Sequence, residues 1–155
     1  MYIISNYLSI IIVIGIIDNL AADYPTQFFL MLYLAALVGR LEAVQVLLEY
    51  NANINSQDST GETPLYRASD HPFDDSKAVI QRLLEHGADP NICDNYHTTP
   101  LHQASSHGLL EAARLLLRYG AKVDMKDKEG KTPLQLAVSD EMTKVLLEYG
   151  DVPPT

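Results

Sequence analysis

The sequence predicts an all-α fold, a solenoid of stacked helix–turn–helix units joined by short β-turn or hairpin connections. Three observations predict it. A Leu-Leu block recurs four times, as Leu47–Asn51, Leu83–Gly87, Leu116–Gly120 and Leu146–Gly150, and its last residue returns at intervals of 36, 33 and 30 residues. A Thr-Pro-Leu triplet precedes the last three copies, as Thr63-Pro64-Leu65, Thr99-Pro100-Leu101 and Thr132-Pro133-Leu134. A third block follows the first three, as Ala52-Asn53-Ile54-Asn55, Ala88-Asp89-Pro90-Asn91 and Ala121-Lys122-Val123-Asp124. Blocks that recur in fixed order at a period of about 33 residues mark a unit that buries its apolar face only by stacking on its neighbours.

Each block has a physical reading. Thr before Pro starts a helix: the hydroxyl caps free backbone N–H groups, and Pro in the first turn loses no needed donor. Leu65 with Ala68, Leu101 with Ala104, and Leu134 with Ala137 then form a short apolar face on each first helix. In the first unit Leu30-Met31-Leu32-Tyr33 takes this place without the Thr-Pro signal. The second helices carry Val44, Leu47, Leu48; Val79, Ile80, Leu83, Leu84; Ala112, Leu115, Leu116; and Met142, Val145, Leu146. Gly87, Gly120 and Gly150 stand where a left-handed helix stop is wanted, and Asn51 tolerates that conformation in the first unit. Turn residues follow at Asp58 and Gly61, Asp94 and Asn95, and Asp127 and Gly130.

These motifs resemble the ankyrin repeat family, whose Thr-Pro-Leu-His-x-Ala pattern stands here as Thr99-Pro100-Leu101-His102-Gln103-Ala104. The resemblance covers Leu30 to Gly150 as four repeats, about 30–57, 58–93, 94–126 and 127–150. It leaves an apolar N-terminal segment, 1–29, and a C-terminal tail, 151–155. Departures fall in identifiable places. The second repeat has three extra residues within Asp70–Lys77, including Pro72 and Phe73. His97 stands where the family's turn prefers Gly. The fourth repeat is three residues short around Ser139–Glu141, so its inter-helix turn must be compressed.

The chain of 155 residues has room for one domain or a short array, and an apolar fraction of 47% excludes a wholly disordered chain. Its net charge of -9 argues against a nucleic-acid binder or an anionic-membrane binder, which needs a basic face. The single cysteine, Cys93, allows no intrachain disulfide and no cysteine-based zinc site. Eight of the 11 isoleucines lie in the first 17 residues, Met1–Ile17 carries no charged side chain, and no Lys or Arg precedes Arg40. A composition boundary therefore falls near Asp18–Tyr24, with Pro25 as a break. Three readings compete for Met1–Phe29. It caps the first repeat; or it contacts a membrane, although the run Tyr7–Ile17 is too short to span one; or it is a signal peptide lacking the positive start such peptides carry.

Little in the chain points to catalysis. His71, His86, His97, His102 and His107 fall at equivalent edges of different repeats rather than in one ligand cluster, so no metal site is expected. The resemblance implies a structural hydrogen bond near the turn for His102. Cys93 lies beside Asp94, a poor setting for an activated thiolate. Asp74-Asp75 reads as a solvated loop tip. There is no phosphate-binding glycine loop and no nucleophile elbow. No catalytic residue, cofactor or metal is expected.

Charge is distributed unevenly. Asp58–Asp94 holds eight anions against three cations, and Glu111–Lys131 holds six cations against four anions. Such a dipolar surface suits steering and registering a charged protein partner. The resemblance implies a non-enzymatic protein–protein interaction module recognising its partner through turn tips and first-helix ends. A monomer is expected, and the single Cys and the poor signal-peptide match place it in a reducing compartment, the cytoplasm. Carried over to this chain, those positions are Ser59, Thr60, Glu62, Asp70 and His71; Asn95, Tyr96, Thr98, Ser106 and His107; and Lys128, Glu129 and Lys131. Tyr96 is the expected anchor. The resemblance also implies that Asn55 and Asn91 stand where an asparagine hydroxylase acts on such proteins. Two alternatives are a membrane-tethered adaptor anchored by residues 1–17 and an interaction fragment of a larger regulated enzyme.

Overall fold

The Thr-Pro pairs start helices as their chemistry suggests. In the computed structural model, which describes residues 24–70 and 76–150, Thr63 and Thr99 are extended caps. Their hydroxyls accept the N–H groups of Tyr66 at 3.1 Å and His102 at 3.4 Å. Helix α1 spans Tyr24–Leu37 and α2 Leu41–Glu49. Helices α3 (Pro64–Ala68) and α4 (Ser76–Glu85) form the second unit, and α5 (Pro100–Ser106) and α6 (Leu110–Arg118) the third. The fourth unit pairs a 3-10 turn, Pro133–Leu136, with α7, Asp140–Gly150. First helices pack on first helices (α1 on α3, α3 on α5, α5 on the 3-10 turn), and second helices on second helices (α2 on α4, α4 on α6, α6 on α7). The result is two parallel layers of helices, all-helical among the described residues.

The core lies between the layers. Every apolar residue assigned to a second-helix face is buried, from Val44 and Leu47 through Ile80, Leu83 and Leu116 to Met142 and Leu146. They join Leu32, Leu65, Leu101 and the small Ala68 and Ala104 in one cluster. Each buried aliphatic side chain contributes about 1.5–3 kcal/mol, so this seam is the main favourable contribution to folding.

Polar contacts join one unit to the next. Asn55 accepts the N–H of Asp89 at 2.9 Å and donates to the Gly87 carbonyl at 3.3 Å. Asn91 repeats the clamp one unit on, with Lys122 N–H at 2.9 Å and the Gly120 carbonyl at 3.0 Å. An amide suits this place because it both donates and accepts. The equivalent position in the third unit is Asp124, which cannot donate when ionised.

Four expectations need correction. The first helix starts at Tyr24 rather than near Leu30, with Pro25 in its first turn, where Pro is preorganised and its missing donor is not needed. Asn51 is left-handed at φ 57, and Gly87 and Gly120 at φ 89, but Gly150 belongs to α7 and is not among the positive-φ glycines. The three missing residues of the fourth unit shorten its first helix to a 3-10 turn, leaving Ala137 extended and only half-buried. The connections between units are β-turns without strands among the described residues. Residues 71–75, which hold Pro72, Phe73 and the Asp74-Asp75 pair, lie outside the described residues, as do residues 1–23 and 151–155.

Candidate partner-binding surface

Three turn tips project from the array with one local design. The carboxylate of Asp58 accepts the N–H groups of Thr60 at 2.9 Å and Glu62 at 3.0 Å. Asp94 does the same for Tyr96 and Thr98, both at 2.8 Å, and Asp127 for Glu129 and Lys131, both at 2.9 Å. Burial opposes the charge of Asp58, but the Thr60 hydroxyl and the backbone donors outweigh it and hold its pKa below the usual carboxylate value. The fourth residue of each turn has positive φ: Gly61 at 82°, His97 at 61° and Gly130 at 78°. His97 therefore takes a glycine's conformation. At Gly61 the need is stricter, because an added Cβ would lie 2.8 Å from the backbone nitrogen of Asn95.

The tips are fastened side by side. The Asn95 N–H donates to the Thr60 carbonyl at 2.9 Å, and the Lys128 N–H donates to the Tyr96 carbonyl at 2.9 Å. The Asn95 side chain adds a bond to the Ser59 carbonyl at 3.1 Å. Backbone is thus committed inward and side chains point outward. Ser59, Thr60, Asn95, Tyr96, Lys128, Glu129 and Lys131 are all exposed, and Thr98 is half-buried. Tyr96 is 67% exposed, the largest value among the exposed large apolar and aromatic side chains of the described residues. The Lys128 ammonium stands 5.6 Å from the centre of its ring. Lys131 pairs with Glu129 at 2.7 Å, which raises the lysine pKa.

Glu62, Asp70, Ser106 and His107 belong to a second cluster along the first helices. Glu62 accepts the Tyr33 hydroxyl at 2.9 Å and lies 2.8 Å from the Arg67 Nε, so it braces the array as much as it faces outward. Arg67 also holds Asp70 at 3.1 Å, and Asp70 lies 3.8 Å from the His107 ring nitrogen. Ser106 donates to the Gln103 carbonyl at 3.1 Å. His71 lies outside the described residues. Among the described residues no group of His, Cys, Asp and Glu is placed to hold a metal ion.

The sequence reading missed the tyrosines that underlie these clusters. Tyr66 occupies the fourth position of its Thr-Pro-Leu motif, where His102 stands in the next repeat. It is 3% exposed, donates to the Asp94 carboxylate at 3.0 Å and accepts from the Gln103 amide. Tyr33 does the same one repeat earlier, donating to Glu62 and accepting from Arg67 at 2.6 Å. Burial pushes the Tyr33 phenol up to about 12 and the Tyr66 phenol further in the same direction. His102 is fully buried, bonded to Thr99 through Nδ1 and to the Lys131 carbonyl through Nε2 at 3.1 Å. Burial holds its pKa below the usual imidazole value, so this bond is structural, as expected from the motif. In the first three repeats the side chain at that position therefore ties the first helix to the turn of the next repeat, fixing the spacing of the tips.

Residues 15–94 and 73–154 match the family model described as ankyrin repeats (3 copies). No curated protein matches the chain.

Proposed function

The chain belongs to the ankyrin repeat family, whose members are generally protein–protein interaction modules, and from that premise we propose that it is a non-enzymatic adaptor gripping one protein partner along the row of turn tips in the second to fourth repeats. The observation that carries this reading is Tyr96. A tyrosine two-thirds exposed at the central tip offers a large, rigid contact surface to a partner, and aromatic anchors dominate interface energetics at little entropic expense. Its neighbours suit that role. Asp58 and Glu62 flank it on one side and Lys128 and Lys131 on the other, so the partner docks in one polarity. The backbone bonds between tips hold the row in shape, which lowers the ordering cost of binding. Glu62 and Asp70 set the acidic end and His107 and Ser106 the first-helix edge.

Cys93, a half-exposed thiol, suits a reducing compartment, and we assign the protein to the cytoplasm. Among the described residues no helix is long and apolar enough to cross a membrane. The test is quantitative capture from the source cell on three immobilised full-length chains. Wild type and Tyr119→Ala, which alters an exposed tyrosine at the end of α6, should enrich the same protein, and Tyr96→Ala should lose it. Retention by Tyr96→Ala with loss by Tyr119→Ala would move the binding surface to the second helices.

A further inference from the structure

We propose that residues 1–17 of this chain cover α1, lying along an exposed stripe formed by Leu30, Leu34 and Val38. Helix α1 has no charged side chain anywhere along Tyr24–Leu37. A helix that is apolar on every face belongs in a covered position. Its inner side is covered: Leu32 and Ala36 are buried in the core, where α1 packs on α2 and α3. Its outer side is not. Leu30, Leu34 and Val38 are 53%, 47% and 54% exposed. They are spaced four residues apart, so they lie one above another on a single stripe, and the Val38 N–H donates to the Leu34 carbonyl at 3.1 Å, continuing the helical path to the end of the stripe. Elsewhere among the described residues the exposed aliphatic side chains, Val138 and Leu147, stand singly.

The occupant is argued from the chain itself. Met1–Ile17 has no charged side chain and holds eight of the 11 isoleucines, so it matches the stripe in chemistry. It joins α1 through Asp18–Asp23, where the first charges occur. Six residues is long enough for the chain to fold back on α1. A connection that short presents the segment to the stripe at an effective concentration in the millimolar range, which favours it over a second copy of the chain. Covering the end of the stack in this way leaves the turn tips as the open surface for a partner.

The experiment places a benzoylphenylalanine photoprobe at position 34 of the full-length chain, with position 119 as control, and maps the products by mass spectrometry. Crosslinks from position 34 should fall within residues 1–17 of the same molecule, with a yield unchanged over roughly a hundredfold dilution. The control should give none. Adding Ile11→Asp and Ile14→Asp should abolish most of the position-34 product while the far-ultraviolet spectrum of the repeats persists. Three outcomes would overturn the proposal. These are products between copies whose yield falls on dilution, products confined to residues 24–150, and absence of the 1–17 product from a chain that floats with phosphatidylcholine vesicles.

Discussion

Tyr66→Phe removes one oxygen and nothing else, so it isolates the bond that ties the second repeat to the third. The ring stays buried, and its apolar contribution is unchanged. What is lost is the hydroxyl between the Asp94 carboxylate, 3.0 Å away, and the Gln103 amide. Asp94 is 7% exposed, so one of its oxygens then lacks a partner that water cannot readily replace. A hydrogen bond to a charged group contributes about 1.5–3 kcal/mol. Gln103 is only half-buried and can turn to solvent, which places the loss near the middle of that range, about 2 kcal/mol. For an array of this length that lowers Tm by roughly 6–10 °C. Urea unfolding followed by far-ultraviolet circular dichroism should show a lower midpoint with the same slope, since the surface exposed on unfolding does not change. A shift below about 0.5 kcal/mol, the size of an ordinary surface substitution, would show that the tyrosine ladder does not join the repeats.

Three further outcomes are expected. Leu116, fully buried in α6, should cost about 2–5 kcal/mol as Leu116→Ala, and the loss should appear in a single transition because each repeat relies on its neighbours; an unchanged melt would contradict its place in the core. Burial keeps the folded His102 imidazole below its ordinary 6.5, so as pH falls through 6.5 the unfolded chain takes up a proton that the folded chain refuses, and stability declines toward acid. In His102→Gln, which mimics Gln135 in the fourth repeat, that part of the pH dependence should flatten; an unaltered profile would locate the titration elsewhere. Lys128→Glu combined with Lys131→Glu should slow association with the partner and weaken its salt dependence while leaving dissociation little changed, as surface plasmon resonance at two ionic strengths would read.

Much of the fold is legible in the sequence because a repeat states its pattern several times. The Thr-Pro caps and the left-handed stops at Asn51, Gly87 and Gly120 depend on contacts within one unit, and the second-helix faces, though buried between units, keep a helical spacing that local sequence records. Three features escaped for physical reasons. Helix α1 is apolar on all sides, so its periodicity has no phase to mark where it begins. The fourth unit could absorb its three-residue shortfall in the turn or in the helix, and the structure places it in the helix, now a 3-10 turn. The Tyr66–Asp94 bond joins residues 28 apart in sequence, and nothing in either residue's neighbourhood names the other. The tips fared differently. The Asp at the start of each turn was recognisable, but the bonds that fasten Asn95 to Thr60 and Lys128 to Tyr96 lie between backbones and leave no mark on the side-chain pattern.

Docking on the turn tips stands or falls with Tyr96. Titration calorimetry of the captured partner against wild type and Tyr96→Ala, alongside thermal melts of both, separates recognition from stability. Truncating an anchor of this kind should cost about 2 kcal/mol, a roughly thirtyfold weaker Kd, with the melting temperature unchanged because the ring is 67% exposed. A Tyr96→Ala protein that binds as tightly as wild type but melts early would mean that the ring packs on the Lys128 turn for stability alone.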